Sequence, residues 1–180
     1  MNDLGDGEHL LASAPGRSED GRRERVERGS NLAGVKCLFI ALVHRHPMRE
    51  VAEIRAVANK GFEACIHGRP GSKRQILLME WETLDRLGLK PGDVKENITT
   101  IGVNLRDLAS GDRLRIGEAV FEVTAPCEPC SRMEEIRQGL RETLRGQRGV
   151  LCQVVQQGMV RRGDAIEVVK AGAAEEIRTG

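Results

Sequence analysis

The stretch Gly111-Asp112-Arg113-Leu114-Arg115-Ile116-Gly117-Glu118-Ala119-Val120-Phe121-Glu122-Val123 decides the fold class. Leu114 and Ile116 alternate with Arg113 and Arg115, while Ala119, Phe121 and Val123 alternate with Glu118 and Glu122. Alternation with a period of two marks half-buried strands. Gly117-Glu118, with Gly first, suits a two-residue type II′ turn between them. That register sets Leu114 against Phe121 on one face and Arg113 against Glu122 on the other.

Outward from this hairpin the chain stays β-rich. Val35 to Val43 reads as a buried strand ended by His44-Arg45-His46-Pro47, and Gln75 to Met79 as a second short apolar run. Glu80 to Leu87 reads as a helix with Trp81, Leu84 and Leu87 along one side, stopped by Gly88 and Pro91. After the hairpin, Ser131-Arg132-Met133-Glu134 matches a capping box. Met133, Ile136, Leu140 and Leu144 then form an apolar helical stripe. Val150 to Gln156 and Ala165 to Val169 return to β. Short strands, a few helices and 21 glycines predict a mainly β (α+β) domain, a partly closed β-barrel with peripheral helices.

The 180 residues suit one domain plus an appendage. Residues 1–33 are expected to be a charged, disordered tail, with only a marginal helix across residues 22–28. The domain is expected over residues 34–172 and a flexible C-terminal tail over 173–180. Lys plus Arg number 28 against 27 Asp plus Glu, which gives no global reason to bind nucleic acid or an anionic membrane. One Trp, three Phe and no Tyr leave no base-stacking platform. No apolar run reaches transmembrane length, and the acidic start Met1 to Glu8 is not a signal peptide. The five cysteines are therefore expected to be thiols in a reducing, cytoplasmic setting.

Cys130 is the leading catalytic candidate. With Ser131 as N-cap, its sulfur lies beside a helix N-terminus and Arg132, an environment that favours the thiolate. Thiolate attacks sulfur, carries a persulfide or ligates a soft metal. The bland alternative is a half-buried cysteine beside an ordinary cap. Cys127 and Cys130 also form a C-x-x-C, which suits half a zinc site completed by His44 and His46, or a redox dithiol. His67, with Arg69, Lys73 and Arg74 close behind, sits on a Gly/Pro-rich loop that could hold an anion or be a solvated basic loop. Asn97 is polar inside a strand-like segment, where such a residue usually satisfies backbone groups.

In order along the chain stand G-F-E-A-C-I-H-G (61–68), R-Q-I-L-L (74–78), P-G-D-V-K-E-N-I (91–98), G-D-R-L-R-I-G (111–117), P-C-E-P-C-S-R (126–132) and G-M-V-R-R-G-D-A-I-E-V (158–168). This order resembles the MOSC domain, named for the C-terminal domain of molybdenum-cofactor sulfurase, and is similar to its small stand-alone YiiM-like bacterial members. The resemblance covers about residues 34–169. It implies a β-barrel, the molybdenum cofactor (molybdopterin), and a cysteine, here Cys130, that carries sulfur or ligates molybdenum. It also implies a basic pocket for the pterin phosphate, with Arg74, His67, Asn97 and Arg132 as cofactor contacts. Many members have Gly-Asp where this chain has Ala64-Cys65, and small members often have Arg where it has Cys127. A sulfur donor or an electron-transfer protein is the expected partner, with a small reductase of N-hydroxylated compounds one form of the activity. The competing expectation is a cofactor-free accessory domain with a zinc- or redox-active C-x-x-C.

Overall fold

The computed structural model describes residues 33–174. The expected tails lie outside that range except at residues 33, 173 and 174, and the marginal helix lies wholly outside it. In chain order the elements are β1 (Gly34–Ile40), β2 (Arg49–Val51), β3 (Glu53–Val57), β4 (Gly61–Phe62), β5 (Ile76–Glu80), α1 (Trp81–Arg86) and β6 (Ile98–Ile101). They continue with β7 (Arg113–Ile116), β8 (Ala119–Pro126), α2 (Arg132–Ile136), α3 (Leu140–Thr143), β9 (Val150–Gln156), β10 (Gly158–Arg161) and β11 (Ile166–Val169).

The hairpin forms in the register its alternation requires, with Leu114 opposite Phe121 and Arg113 opposite Glu122. Gly117 opens the turn at φ +56°, the left-handed region a type II′ turn needs at its first position. Around it an eight-stranded sheet runs β11-β7-β8-β9-β5-β6-β1-β2, and a three-stranded sheet runs β10-β3-β4. The β5–β6 pair is parallel and the other ladders are antiparallel. The molecule is thus mainly β with few helices. No continuous ladder closes the large sheet among the described residues. One isolated bridge, Gly34 to Ala165, joins the start of β1 to the residue before β11. Val35 N donates to Asp164 O at 2.9 Å and Ile166 N to Ala33 O at 2.8 Å beside it.

β5 explains the layering. Ile76 and Leu78 enter the main core with Leu38, Phe62, Leu114 and Phe121, where the two Phe rings meet edge to face with centroids 6.3 Å apart. Met79 points into a second core with Leu84, Leu89, Val94, Met133, Leu140 and Leu144. A strand buried on both faces reads as a continuous apolar run, not an alternating one.

Two expectations are corrected. The first strand ends at Ile40 instead of Val43, and Leu42 and Val43 are 43% and 54% exposed. The chain turns out of the sheet there, with His46 N donating to Val43 O and Arg45 at φ +65°. The single helix with a capping box is instead two short helices. Ser131 has helical dihedrals and makes no side-chain cap bond. The carboxylate of Glu134 accepts from Gly139 N and Arg141 N, so it ties the second helix to the first. Arg137 is extended and Gly139 is left-handed at φ +78°, which breaks the periodic stripe between Ile136 and Leu140. Local propensity yields here because burying Met133, Leu140 and Leu144 in the second core fixes where each turn lies.

Asp112 fastens the last strand. It accepts from Lys170 Nζ at 2.8 Å, Ala109 N at 2.9 Å and Ala171 N at 3.0 Å. Lys170 and these backbone donors hold its carboxyl down to about 2. Because the folded value is depressed, this contribution is present above the ordinary carboxylate range and is lost as pH falls from about 4 through 2. Urea titrations should show Asp112→Asn less stable than wild type at pH 7, with the gap narrowing between pH 4 and pH 2; a constant gap contradicts the assignment. Ala64 stands at φ +58°, which strains a side chain bearing Cβ. Ala64→Gly should therefore raise stability by about 0.5–1 kcal/mol.

Candidate functional site

Four segments that lie far apart in sequence line one cavity. The first is the loop after β4. Ile66 N donates to Ala41 O at 2.9 Å and Gly68 N to Cys65 O at 3.2 Å, so His67 is tied on both sides. The second is the loop before β6. There the buried Glu96 carboxylate accepts from Gly92 N at 2.6 Å and Thr99 Oγ1 at 2.9 Å. Burial pushes the Glu96 carboxyl up against those hydrogen bonds, and its Oε2 has no partner. Asn97 beside it is 2% exposed; its Oδ1 accepts from Leu77 N at 3.1 Å, and its Nδ2 donates to Phe39 O at 3.2 Å and Cys65 Sγ at 3.6 Å. This frame presents Lys95, at φ +68°, whose Nζ reaches His46 O of the third segment, the turn after β1.

The fourth segment is the turn into β9. A Cβ on Gly149 would stand 1.9 Å from Leu78 O, so only glycine lets this turn press on β5. The close approach seats Arg148, which is 7% exposed. Its Nη1 donates to Cys127 Sγ at 2.9 Å and Glu128 O at 3.2 Å, its Nη2 donates to Val94 O at 3.0 Å, and its Nε has no partner among the described residues.

Together these segments line a cavity of about 130 Å³ with Val43, His44, Arg45, His46, His67, Lys95, Arg132 and Arg148. None of the lining residues is acidic. The three residues of the His44-Arg45-His46 turn are exposed, His67, Lys95 and Arg132 are half-buried, and Arg148 is buried. Burial, then the charges of His44, Lys95 and Arg132, pushes the His67 imidazole below its ordinary value. A hollow of about 360 Å³, lined in part by Met48, Pro91 and Ile136, shares Lys95 and Arg132 with the cavity. Such an array suits an oxyanion, because guanidinium and ammonium donors are strongest when their acceptor is charged.

The cysteines divide by exposure. Cys130 is exposed, and its carbonyl accepts from Met133 N at 3.0 Å. Cys127 is buried and packs with Leu77 and Leu151. Burial pushes the Cys127 thiol up, and the Arg148 and Arg74 charges oppose this. The expected helix N-terminus beside Cys130 is corrected: α2 has five residues and no side-chain cap, so it supplies neither the extended dipole nor the capping box.

Of the candidates read from the sequence, His67 and Arg132 meet in the cavity. Arg74 is exposed and is not among the lining residues, and Asn97 braces the backbone. Among the described residues no three of His, Cys, Asp and Glu are grouped as metal ligands. His44 and His46 line the cavity instead of completing a zinc site with the cysteines. The sequence reading missed Lys95 and Arg148. Lys95 stood inside a quoted motif, whereas Arg148 lies in Gly146-Gln147-Arg148-Gly149, a turn with no chemical signature.

The family description "MOSC domain" matches residues 66–167, more than half of the chain. The chain belongs to the MOSC domain family. Solved relatives share the fold. The YuaD protein from Bacillus subtilis aligns with a TM-score of 0.68 at 20% identity, over 77% of this chain and 96% of that one. YiiM from Geobacillus stearothermophilus aligns at 0.60 and 19% identity over 81% and 83%, and YiiM from Escherichia coli at 0.57 and 20% over 81% and 75%. In sequence, this MOSC protein is 28% identical over 97 residues to the uncharacterised protein YflK of Bacillus subtilis (strain 168), a match covering 51% of this chain. It spans about two fifths (43%) of the length of that relative. No helix among the described residues is long and apolar enough to cross a membrane.

If the cavity holds an oxyanion, His67 should report it. In an NMR titration the His67 ring should titrate below its ordinary value in the free protein and move up on addition of sulfate, whose charge is constant over this range. A His67 titration unmoved by saturating sulfate counts against the site.

Proposed function

We propose that this MOSC domain binds the molybdenum cofactor by its phosphate in the His44–Arg148 cavity, and that Cys130 is the thiol that carries sulfur or ligates molybdenum. The observation that carries the reading is Arg148, a buried guanidinium whose Nε has no partner among the described residues, on the wall of a cavity that no described acidic residue lines. A buried polar atom without a partner costs about 1–3 kcal/mol, and an anion beside this group would relieve that cost. About 130 Å³ is several times the roughly 30 Å³ share of one water, which suits a phosphate but not a whole pterin. The adjoining hollow offers room for a larger body. The residues present therefore fit the anionic end of the cofactor.

In this reading Arg148, Arg132 and Lys95 neutralise the phosphate, and the His67 ring N–H donates a hydrogen bond to it. The three residues of the His44–His46 turn close over it from the exposed side. Arg74 and Asn97 act outside the cavity, Arg74 through its charge on Cys127 and Asn97 by holding the loop that carries Lys95. Molybdenum, when bound, supplies the oxidation–reduction chemistry. Cys130, exposed at the mouth of a proline-stiffened loop, is the soft ligand or sulfur carrier. A sulfur donor is the partner of a carrier, and an electron-transfer protein that of a reductase of N-hydroxylated compounds; either belongs in a reducing compartment. The same proposal reads the Gly34–Ala165 bridge as the seam of a partly closed barrel.

Purification from a host that makes molybdopterin tests the reading. Wild type should carry pterin and molybdenum, scored by pterin fluorescence and metal analysis. Cys130→Ser should keep pterin and lose molybdenum or sulfane sulfur, whereas Arg132→Glu should lower pterin at least about tenfold, the effect of 1.4 kcal/mol. Wild type that carries neither pterin nor molybdenum overturns the proposal.

A further inference from the structure

We propose that Arg148 couples the oxidation state of the Cys127–Cys130 pair to the anion cavity, so that the disulfide form binds the anion more tightly than the dithiol form. This rests on the cavity reading above and adds a control that the reading does not contain. Among the described residues, Arg148 is the cavity-lining side chain that also hydrogen-bonds a sulfur of the pair. In the dithiol form the Cys127 sulfur is one of its three acceptors, with Glu128 O and Val94 O.

The two thiols of the pair differ in exposure, which sets the order in which they would react. Cys130 is exposed and Cys127 is 4% exposed, three residues earlier on the same loop. With a small-molecule disulfide as oxidant, the Cys130 thiolate attacks one of its sulfurs and expels a thiolate. Cys127 then loses its proton and attacks the Cys130 sulfur of the mixed disulfide, expelling the second thiolate. Two electrons pass from the protein pair to the oxidant, and the two thiol protons end on two molecules of small thiol.

Closure changes what Arg148 faces. An S–S bond of roughly 2 Å draws the Cys127 sulfur toward Cys130 and takes its S–H away. The guanidinium cannot shed its own charge. It loses an acceptor while still bordering the cavity, so an anion there becomes its best remaining partner. By reciprocity, an anion in the cavity favours the disulfide by the same factor.

Calorimetry with inorganic phosphate on the full chain tests this. The protein is measured at fixed pH after reduction and after oxidised glutathione, with peptide mapping to locate the disulfide. Oxidised wild type should bind phosphate about tenfold more tightly than reduced, within the range usual for coupled sites. Cys130→Ser, which leaves the Cys127–Arg148 contact in place, and Cys127→Ser should both bind with an affinity that oxidant does not change. Failure to form the Cys127–Cys130 disulfide, or equal affinity in both states, overturns the coupling and leaves the cavity reading standing. Absence of phosphate binding in either state, with the disulfide formed, overturns the cavity reading and the coupling with it.

Discussion

A single buried guanidinium organises the cavity end of this molecule. Arg148 donates to Val94 O, Glu128 O and Cys127 Sγ, so it joins the loop before β6, the C-x-x-C loop and the turn into β9. Taking an arginine charge out of water is expensive, and it persists only where acceptors surround it. Here the acceptors come from backbone segments more than fifty residues apart in one case, since Val94 and Arg148 are separated by 54 positions. The segments must therefore be assembled before the charge is satisfied. The same group supplies the cavity with its innermost positive charge. Its Nε has no hydrogen-bond partner among the described residues.

Around that centre the sheet provides rigidity. Asn97 clamps β1 to β5 through Phe39 O and Leu77 N, and its contact with Cys65 extends the clamp to the His67 loop. Glu96 folds the preceding loop onto itself through Gly92 N and Thr99 Oγ1. Neither side chain lines the cavity. Both hold Lys95 where its charge adds to those of Arg132 and Arg148. At Ala64-Cys65 the Cys65 sulfur accepts from Ala41 N at 3.4 Å. A thiol thus does a backbone-anchoring task at that position, while Ala64 keeps the left-handed geometry that glycine would adopt without strain.

The placement of charge separates two roles that look alike in sequence. Cys127 and Cys130 stand three residues apart in a loop framed by Pro126 and Pro129, yet one is sealed against Leu77 and Leu151 and the other is exposed. The buried thiol meets a cation and the exposed one meets solvent. That asymmetry of exposure is set by the fold and is not legible in the C-x-x-C spacing.

Several features were fixed by local sequence. The hairpin register at Leu114–Phe121, the strand from Val150 to Gln156 and the helix after Glu80 follow from alternation, apolar periodicity and glycine stops. These depend on interactions among residues within a few positions, so they leave a periodic trace. The family likeness likewise rested on short motifs in order, and their His67 and Arg132 do reach one cavity. Tertiary structure alone decided the rest. It split the Met133–Leu144 stripe into two helices, ended the first strand at Ile40, buried one thiol of the pair, and brought Arg148 to Val94. Those outcomes depend on which distant surfaces share a core and on where a buried charge finds acceptors, and neither condition is written in the periodicity of any one segment.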